Sequence, residues 1–218
     1  MLFQILSIVL IGGTKALILR DAKRRFGTWN AVVEVYVAAL RSGFSASVAP
    51  GAGWWPRTLA VARPAVYMIA FTLMCILGLT GFLQVIFTGG SPSGVLLLIH
   101  MIAAPLFALA LAAASLLWSH DQQLREEDLP LLGQAVRTGT LYGATTLAAV
   151  GRALYWLILV CALPLLLSII LSLFPLFGTD GEVWLIGLHG YSAIALVAAA
   201  LLHGYIRILQ MLSGTHSG

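Results

Sequence analysis

The chain has 218 residues, of which 60% are hydrophobic and only 9% charged, and its mean hydropathy is +0.98. A water-soluble domain carries about 25% charged residues, so composition alone excludes an ordinary soluble globule. The net charge of +4 does not point to nucleic acid, because the basic residues cluster at the ends of apolar runs and no nucleic-acid motif accompanies them.

Residues Met1 to Ile18 are apolar apart from Gln4, Ser7, Thr14 and Lys15, and Arg20, Lys23, Arg24 and Arg25 follow. A cleaved leader has its charges before the apolar run, not after it. This segment is therefore read as uncleaved, either a membrane-crossing anchor or an interfacial helix. Together with the linker it makes an N-terminal extension over residues 1–62. Within the linker, Trp29 to Leu40 has amphipathic helical character, and Gly43 to Pro56 is rich in Gly, Ser and Pro. The linker's end, Trp54-Trp55-Pro56 beside Arg57 and Arg63, has the makeup of an aromatic belt at headgroup level.

No Lys, Arg, Asp or Glu occurs from Pro64 to His120, from Ala153 to Thr179, or from Val183 to Ile206. About 20 apolar residues cross a hydrocarbon core roughly 30 Å thick. The first stretch holds two crossings, from about Ala65 to Phe87 and from about Val95 to Trp118, with the turn Thr88–Gly94 between them. The others hold one each, from about Ala153 to Phe174, with a kink expected at Pro164, and from about Val183 to Gln210. The charged loop Asp121–Arg152 includes a short amphipathic helix near Leu129–Val136. The expected fold is all-α: an integral membrane four-helix bundle over residues 63–218 with an additional N-terminal apolar helix.

Arg57, Arg63, Arg125, Arg137, Arg152 and Arg207 fall on one side of the membrane if the spans alternate, and the short loops Thr88–Gly94 and Phe177–Glu182 carry no Lys or Arg. Basic residues mark the cytoplasmic side, so a bacterial cytoplasmic membrane with the short loops facing the periplasm is expected. Cys75 and Cys161 sit mid-span without metal-ligand spacing and read as small apolar residues. Asp21, Glu34, Glu126, Glu127 and Asp128 lie outside the spans and read as solvated faces.

Of the five histidines, His100, His189 and His203 fall within spans. An ionisable group in the bilayer is costly, which makes each a functional candidate, although a lone histidine also serves as a plain hydrogen-bond donor between helices. His189 and His203 are fourteen residues apart on one helix, which returns them to within roughly 40° of one face about 21 Å apart. His100 and His189 lie at one depth on parallel spans, near the periplasmic surface. Two imidazoles facing across a bundle are what a six-coordinate b-type haem requires. Small residues such as Ala103, Ala104, Ala193 and Gly190 leave room beside them. His203 lacks a histidine partner; Tyr67 and Met68 lie at its depth and belong to residue types that can ligate haem iron. His120 is on the wrong helix face, and His216 lies in a polar tail.

From about Arg63 onward the chain resembles the four-helix cytochrome b subunits of respiratory formate dehydrogenases and nickel–iron hydrogenases, within the wider bacterial cytochrome b561 group. The resemblance rests on Leu98-Ile99-His100 through Ser119-His120-Asp121, on Glu126-Glu127-Asp128-Leu129-Pro130, on Leu188-His189-Gly190 through Leu202-His203-Gly204-Tyr205, and on Leu79-Thr80-Gly81. It implies a haem between His100 and His189, iron as the bound metal, and His203 as a ligand toward a second haem. It further implies a quinone site near the cytoplasmic face and a periplasmic partner carrying iron–sulfur clusters or cytochrome haem. Two features depart from the family. Arg63-Pro64-Ala65-Val66-Tyr67-Met68 lacks the family's histidine for the second haem, and Ala149-Val150-Gly151-Arg152 keeps only the glycine of the family's quinone element. One haem is therefore expected rather than two, with Gly151 and Arg152 as what is left of the quinone site. In that case His203 serves a quinone or is a structural remnant. Arg152 is expected to mark a span end rather than to meet a haem propionate.

The expected role is an electron-transfer subunit of a respiratory or photosynthetic membrane redox complex. It would work between a periplasmic partner and the quinone pool or another membrane subunit, and would not be an independent enzyme. The alternative is a haem-free structural anchor that orients a larger complex. A transporter is disfavoured, because the spans hold no acidic residue and no broken-helix pair.

Overall fold

The computed structural model describes residues 2–28, 54–90, 92–141, 143–174 and 176–215, with positions 30, 34 and 37 besides. The expected amphipathic stretch Trp29–Leu40, apart from those three positions, lies outside the described residues, as do residues 43–53 of the linker and His216. Among the described residues the chain is helical and has no strand.

Helix α1 covers Leu2–Phe26, with a π-helical stretch over Ile8–Gly12. The long helices α2 (Trp54–Thr88) and α3 (Gly94–Trp118) follow. The short α4 (Asp128–Thr138) precedes α5 (Ala144–Ser172) and α6 (Gly178–Thr215). Five helices are long and apolar enough to cross a membrane, and α4 is not one of them. The protein is a multi-pass membrane protein.

The helices run beyond the apolar stretches that announce them. α2 begins ten residues before Pro64, and α5 begins at Ala144 rather than at Ala153. A helix satisfies its own backbone wherever it runs, so it continues through the polar boundary until a turn residue stops it. α4 ends that way, at Gly139, whose φ of 62° is a left-handed cap that glycine adopts without strain.

Packing follows sequence order. α2 and α3 form one antiparallel hairpin, and α5 and α6 form another; each pair packs along its length, while the two hairpins touch each other only sparsely. Midway down, Phe107 and Leu111 of α3 meet Ala162 and Leu165 of α5 and Leu196 of α6, with Leu73, Met74 and Leu77 of α2 against them. The outward faces carry bare apolar side chains, Leu116 at 86% and Phe87 at 79% exposed. Water does not tolerate such a surface, whereas acyl chains do.

α1 is long and apolar enough to cross a membrane, and it packs along α6 rather than across the end of the bundle. Near its start Phe3 lies against Gly190 and Tyr191 of α6. Near its end Tyr205 of α6 donates to the Asp21 carboxylate at 2.6 Å, and Ala22 joins a buried cluster with Leu147, Tyr205, Ile206 and Leu209. The two helices are thus parallel across the full thickness. Lys15 lies on an exposed stretch of α1, eleven residues before its end, from which its long stem can reach toward the headgroups.

Polar ties hold the end of the bundle where the arginines gather. Arg63 pairs with Asp121 at 2.7 Å and donates to the Leu117 carbonyl at 2.9 Å. Arg152 grips Asp128 with two nitrogens, Nε at 2.9 Å and an Nη, and the Asp128 carboxylate also accepts the Arg125 backbone N–H at 2.8 Å. Asp128 was expected on a solvated face; it is 0% exposed, because the acid closes the start of α4 onto α5 at Arg152. Glu126 and Glu127 are exposed as expected.

Candidate functional site

The bundle brings His100 of α3 and His189 of α6 together across the gap between the hairpins, with ring centroids 6.4 Å apart and ring planes at 70°. Each ring is held from behind by its own hairpin partner. The Nδ1 of His100 lies 2.9 Å from the Thr80 hydroxyl on α2. That hydroxyl spends its proton on the Ile76 carbonyl at 2.7 Å, which leaves its lone pair to accept from the Nδ1–H. The Nδ1 of His189 lies 3.0 Å from the Leu165 carbonyl on α5, which can only accept. In both rings Nδ1 therefore carries a proton, and Nε2 is the nitrogen that these hydrogen bonds leave over.

An imidazole nitrogen binds a metal at about 2 Å, so two imidazoles on opposite sides of one metal have ring centres about 6 to 6.5 Å apart. The observed 6.4 Å matches that separation. Metal-binding histidines also commonly donate their other N–H to a carbonyl, carboxylate or similar acceptor, as both do here. A Cβ on Gly81 would sit 3.2 Å from the His100 ring, while one on Gly78, a turn deeper on α2, would have no atom within 4 Å. Thr80, buried at 6%, and Gly81 together let the His100 ring lie close against α2. The residues present fit a haem that His100 and His189 would hold.

No group of three or more His, Cys, Asp or Glu converges among the described residues. A haem needs only two protein ligands, because the macrocycle supplies the remaining nitrogens.

The other sequence candidates are not gathered into this site. His203 lies on α6 fourteen residues beyond His189, and its Nε2 is buried without a hydrogen-bond partner among the described residues. Tyr67 is 40% exposed on α2, and Met68 beside it is half-buried. Gly151 lies against α6: a Cβ there would come within 2.6 Å of the Gln210 amide nitrogen, which donates to the Leu147 carbonyl. Arg152 is engaged by Asp128. His120 is exposed in the turn after α3.

Sequence reading missed the residues that orient the histidines. The signal was present in the spacing: Thr80 and His100 are equidistant from Gly90, and Leu165 and His189 are equidistant from Phe177. In an antiparallel helical hairpin, residues equidistant from the turn lie at one level. No family model, curated protein or solved structure matches this chain.

Proposed function

We propose that the protein binds one b-type haem between His100 and His189 and serves as an electron-transfer subunit of a membrane redox complex. The observation that carries this reading is the facing histidine pair at metal-spanning separation, each Nδ1 already satisfied and each Nε2 left over. A haem held there supplies one-electron exchange inside the bilayer.

The chain's own residues do the rest. Thr80 and the Leu165 carbonyl fix which imidazole nitrogen is presented, and each hairpin brings one ring to the shared depth. Position favours a relay: His100 is six residues from the start of α3 and sits near the face opposite the basic cluster. A site at that depth would lie within reach of a redox partner on that face. The buried, unpartnered Nε2 of His203 supports a further polar or metal-bearing group deeper in the bundle, a quinone or a second haem.

The structural-anchor reading draws support from the Nδ1 bonds, each of which ties two helices together without any cofactor. It does not account for the two rings meeting at one depth at this separation.

The test is a dithionite-reduced minus oxidised spectrum with pyridine haemochrome quantification on the purified full chain, alongside His100→Ala and His189→Ala. About one b haem per chain, lost in both variants, is expected. A colourless wild-type protein would leave the anchor standing. Two haems per chain, one of them lost in His203→Ala, would assign His203 as a ligand.

A further inference from the structure

The two hairpins leave a seam between α2 and α6 that neither helix closes, since these two helices touch only sparsely. α1 fills it. At the level of the histidine pair the filling residue is Phe3. Its ring stacks on Phe82 of α2, with centroids 6.4 Å apart and planes at 11°, and meets Tyr191 of α6 edge-on at 5.6 Å. Phe82 follows Gly81, which abuts the His100 ring; Gly190, whose Cβ position lies 2.7 Å from the Phe3 ring, follows His189. Phe3 is thus one residue away from each wall of the site. The seating is specific: Gln4 reaches across to the Val85 carbonyl at 2.9 Å, and Ser7, at 0% exposure, folds its hydroxyl back onto the Phe3 carbonyl. Glycine at 190 is what lets the ring approach.

We propose that the first turns of α1 form the side wall of the two-histidine site, with Phe3 the positioning residue that closes the α2–α6 seam against water and lipid and holds the histidine pair at its separation. The inference rests on the haem reading above. An anchor helix that merely tethered the chain would have no need of an aromatic ring, a glycine seat and a cross-helix amide bond at this depth.

The experiment uses the purified full chain carrying its haem, in wild-type form and as Phe3→Ala, Phe3→Leu, Gln4→Ala and Leu2→Ala. Leu2 is in the same turn but 70% exposed, so its variant controls for changes in α1 alone. Haem transfer to excess apomyoglobin and the midpoint potential are read for each. Phe3→Ala is expected to release haem roughly ten-fold faster, as loss of a supporting contact does at metal sites. Its midpoint potential should fall as water reaches the site, since exposure lowers the potential of a buried haem. Phe3→Leu, which restores apolar bulk, should recover most of both effects. Gln4→Ala should fall between, and Leu2→Ala should match wild type. Haem-bearing wild type with Phe3→Ala indistinguishable from Leu2→Ala would overturn the wall while leaving the haem reading intact. A Phe3→Ala defect that Phe3→Leu does not relieve would also overturn it, since closure by apolar bulk would then not be the cause. Wild-type protein without haem would end both readings together.

Discussion

At the scale of single residues, the histidine pair depends on groups that carry no charge. Thr80 is one hydroxyl, yet it decides which nitrogen His100 presents, because its own proton is committed to the Ile76 carbonyl. Thr80→Val keeps the shape and removes the acceptor, leaving the Nδ1–H of His100 unpaired. The expected result is a protein that still folds but retains haem about ten-fold less tightly, the usual cost of losing a partner behind a metal ligand. Its midpoint potential should rise, because a histidine that no longer donates is a less basic ligand and stabilises the ferric state less. Redox titration of the variant checks both the size and the sign; a falling potential would count against Thr80 as acceptor. Gly81 sets a steric limit beside it. Gly81→Leu drives its side chain into the His100 ring, where even a Cβ sits at 3.2 Å, and should abolish haem incorporation while thermal unfolding still reports a folded bundle.

At the scale of elements, what locks the loop side of the bundle is the buried pair between Asp128 at the start of α4 and Arg152 near the start of α5. The Arg152 hydrogen bond is the main reason the Asp128 carboxyl sits below its ordinary value, helped by the Arg125 backbone N–H and opposed by burial. A carboxyl with a folded pKa below the unfolded value of about 3.9 contributes its full stability above that value and loses it as pH falls through the lower folded value. Thermal stability in detergent should therefore hold from neutral pH to about pH 4 and drop below it. Asp128→Ala strands the guanidinium, whose side chain is only 14% exposed, and should cost about 3 kcal/mol at pH 7. Asp128→Asn should lie below wild type at pH 7 and lack the acid limb; an unchanged limb in that variant would assign the acid sensitivity elsewhere. Legibility also divides at this scale. The four bundle spans, the short α4 and the shared depth of His100 and His189 could be read in advance, because hydropathy runs and the 100° helical step are properties of consecutive residues. The Asp128–Arg152 pair could not, since a charge in a polar loop looks the same in sequence whether solvated or buried. Nor could the placement of α1, because a short apolar run ending in basic residues suits both a crossing and an interfacial helix until Gly190 offers it a seat.

At the scale of the whole molecule, five crossing helices fix the sidedness of every loop relative to every other. α1 runs parallel to α6, so the Leu2 end lies at the same face as the turn Gly89–Ser93 and the start of α6. The end of α1 lies with the loop that follows α4, since Arg25 donates to the Leu141 carbonyl at 3.3 Å. Every lysine and arginine among the described residues then falls toward that second face, while Asp180 and Glu182 lie toward the first. Had α1 lain in the interface instead, both of its ends would sit at one surface and Leu2 would share the side of Arg137. Single cysteines separate the two arrangements. Starting from a Cys75→Ala, Cys161→Ala background, Leu2→Cys and Ser93→Cys should react with a membrane-impermeant maleimide from the same side of sealed vesicles. Arg137→Cys should react only from the other side. Because basic residues stay where the chain is made, Arg137→Cys should be the one shielded in intact cells. Labelling of Leu2→Cys together with Arg137→Cys would sink the five-crossing arrangement and, with it, the placement of Phe3 beside the histidine pair.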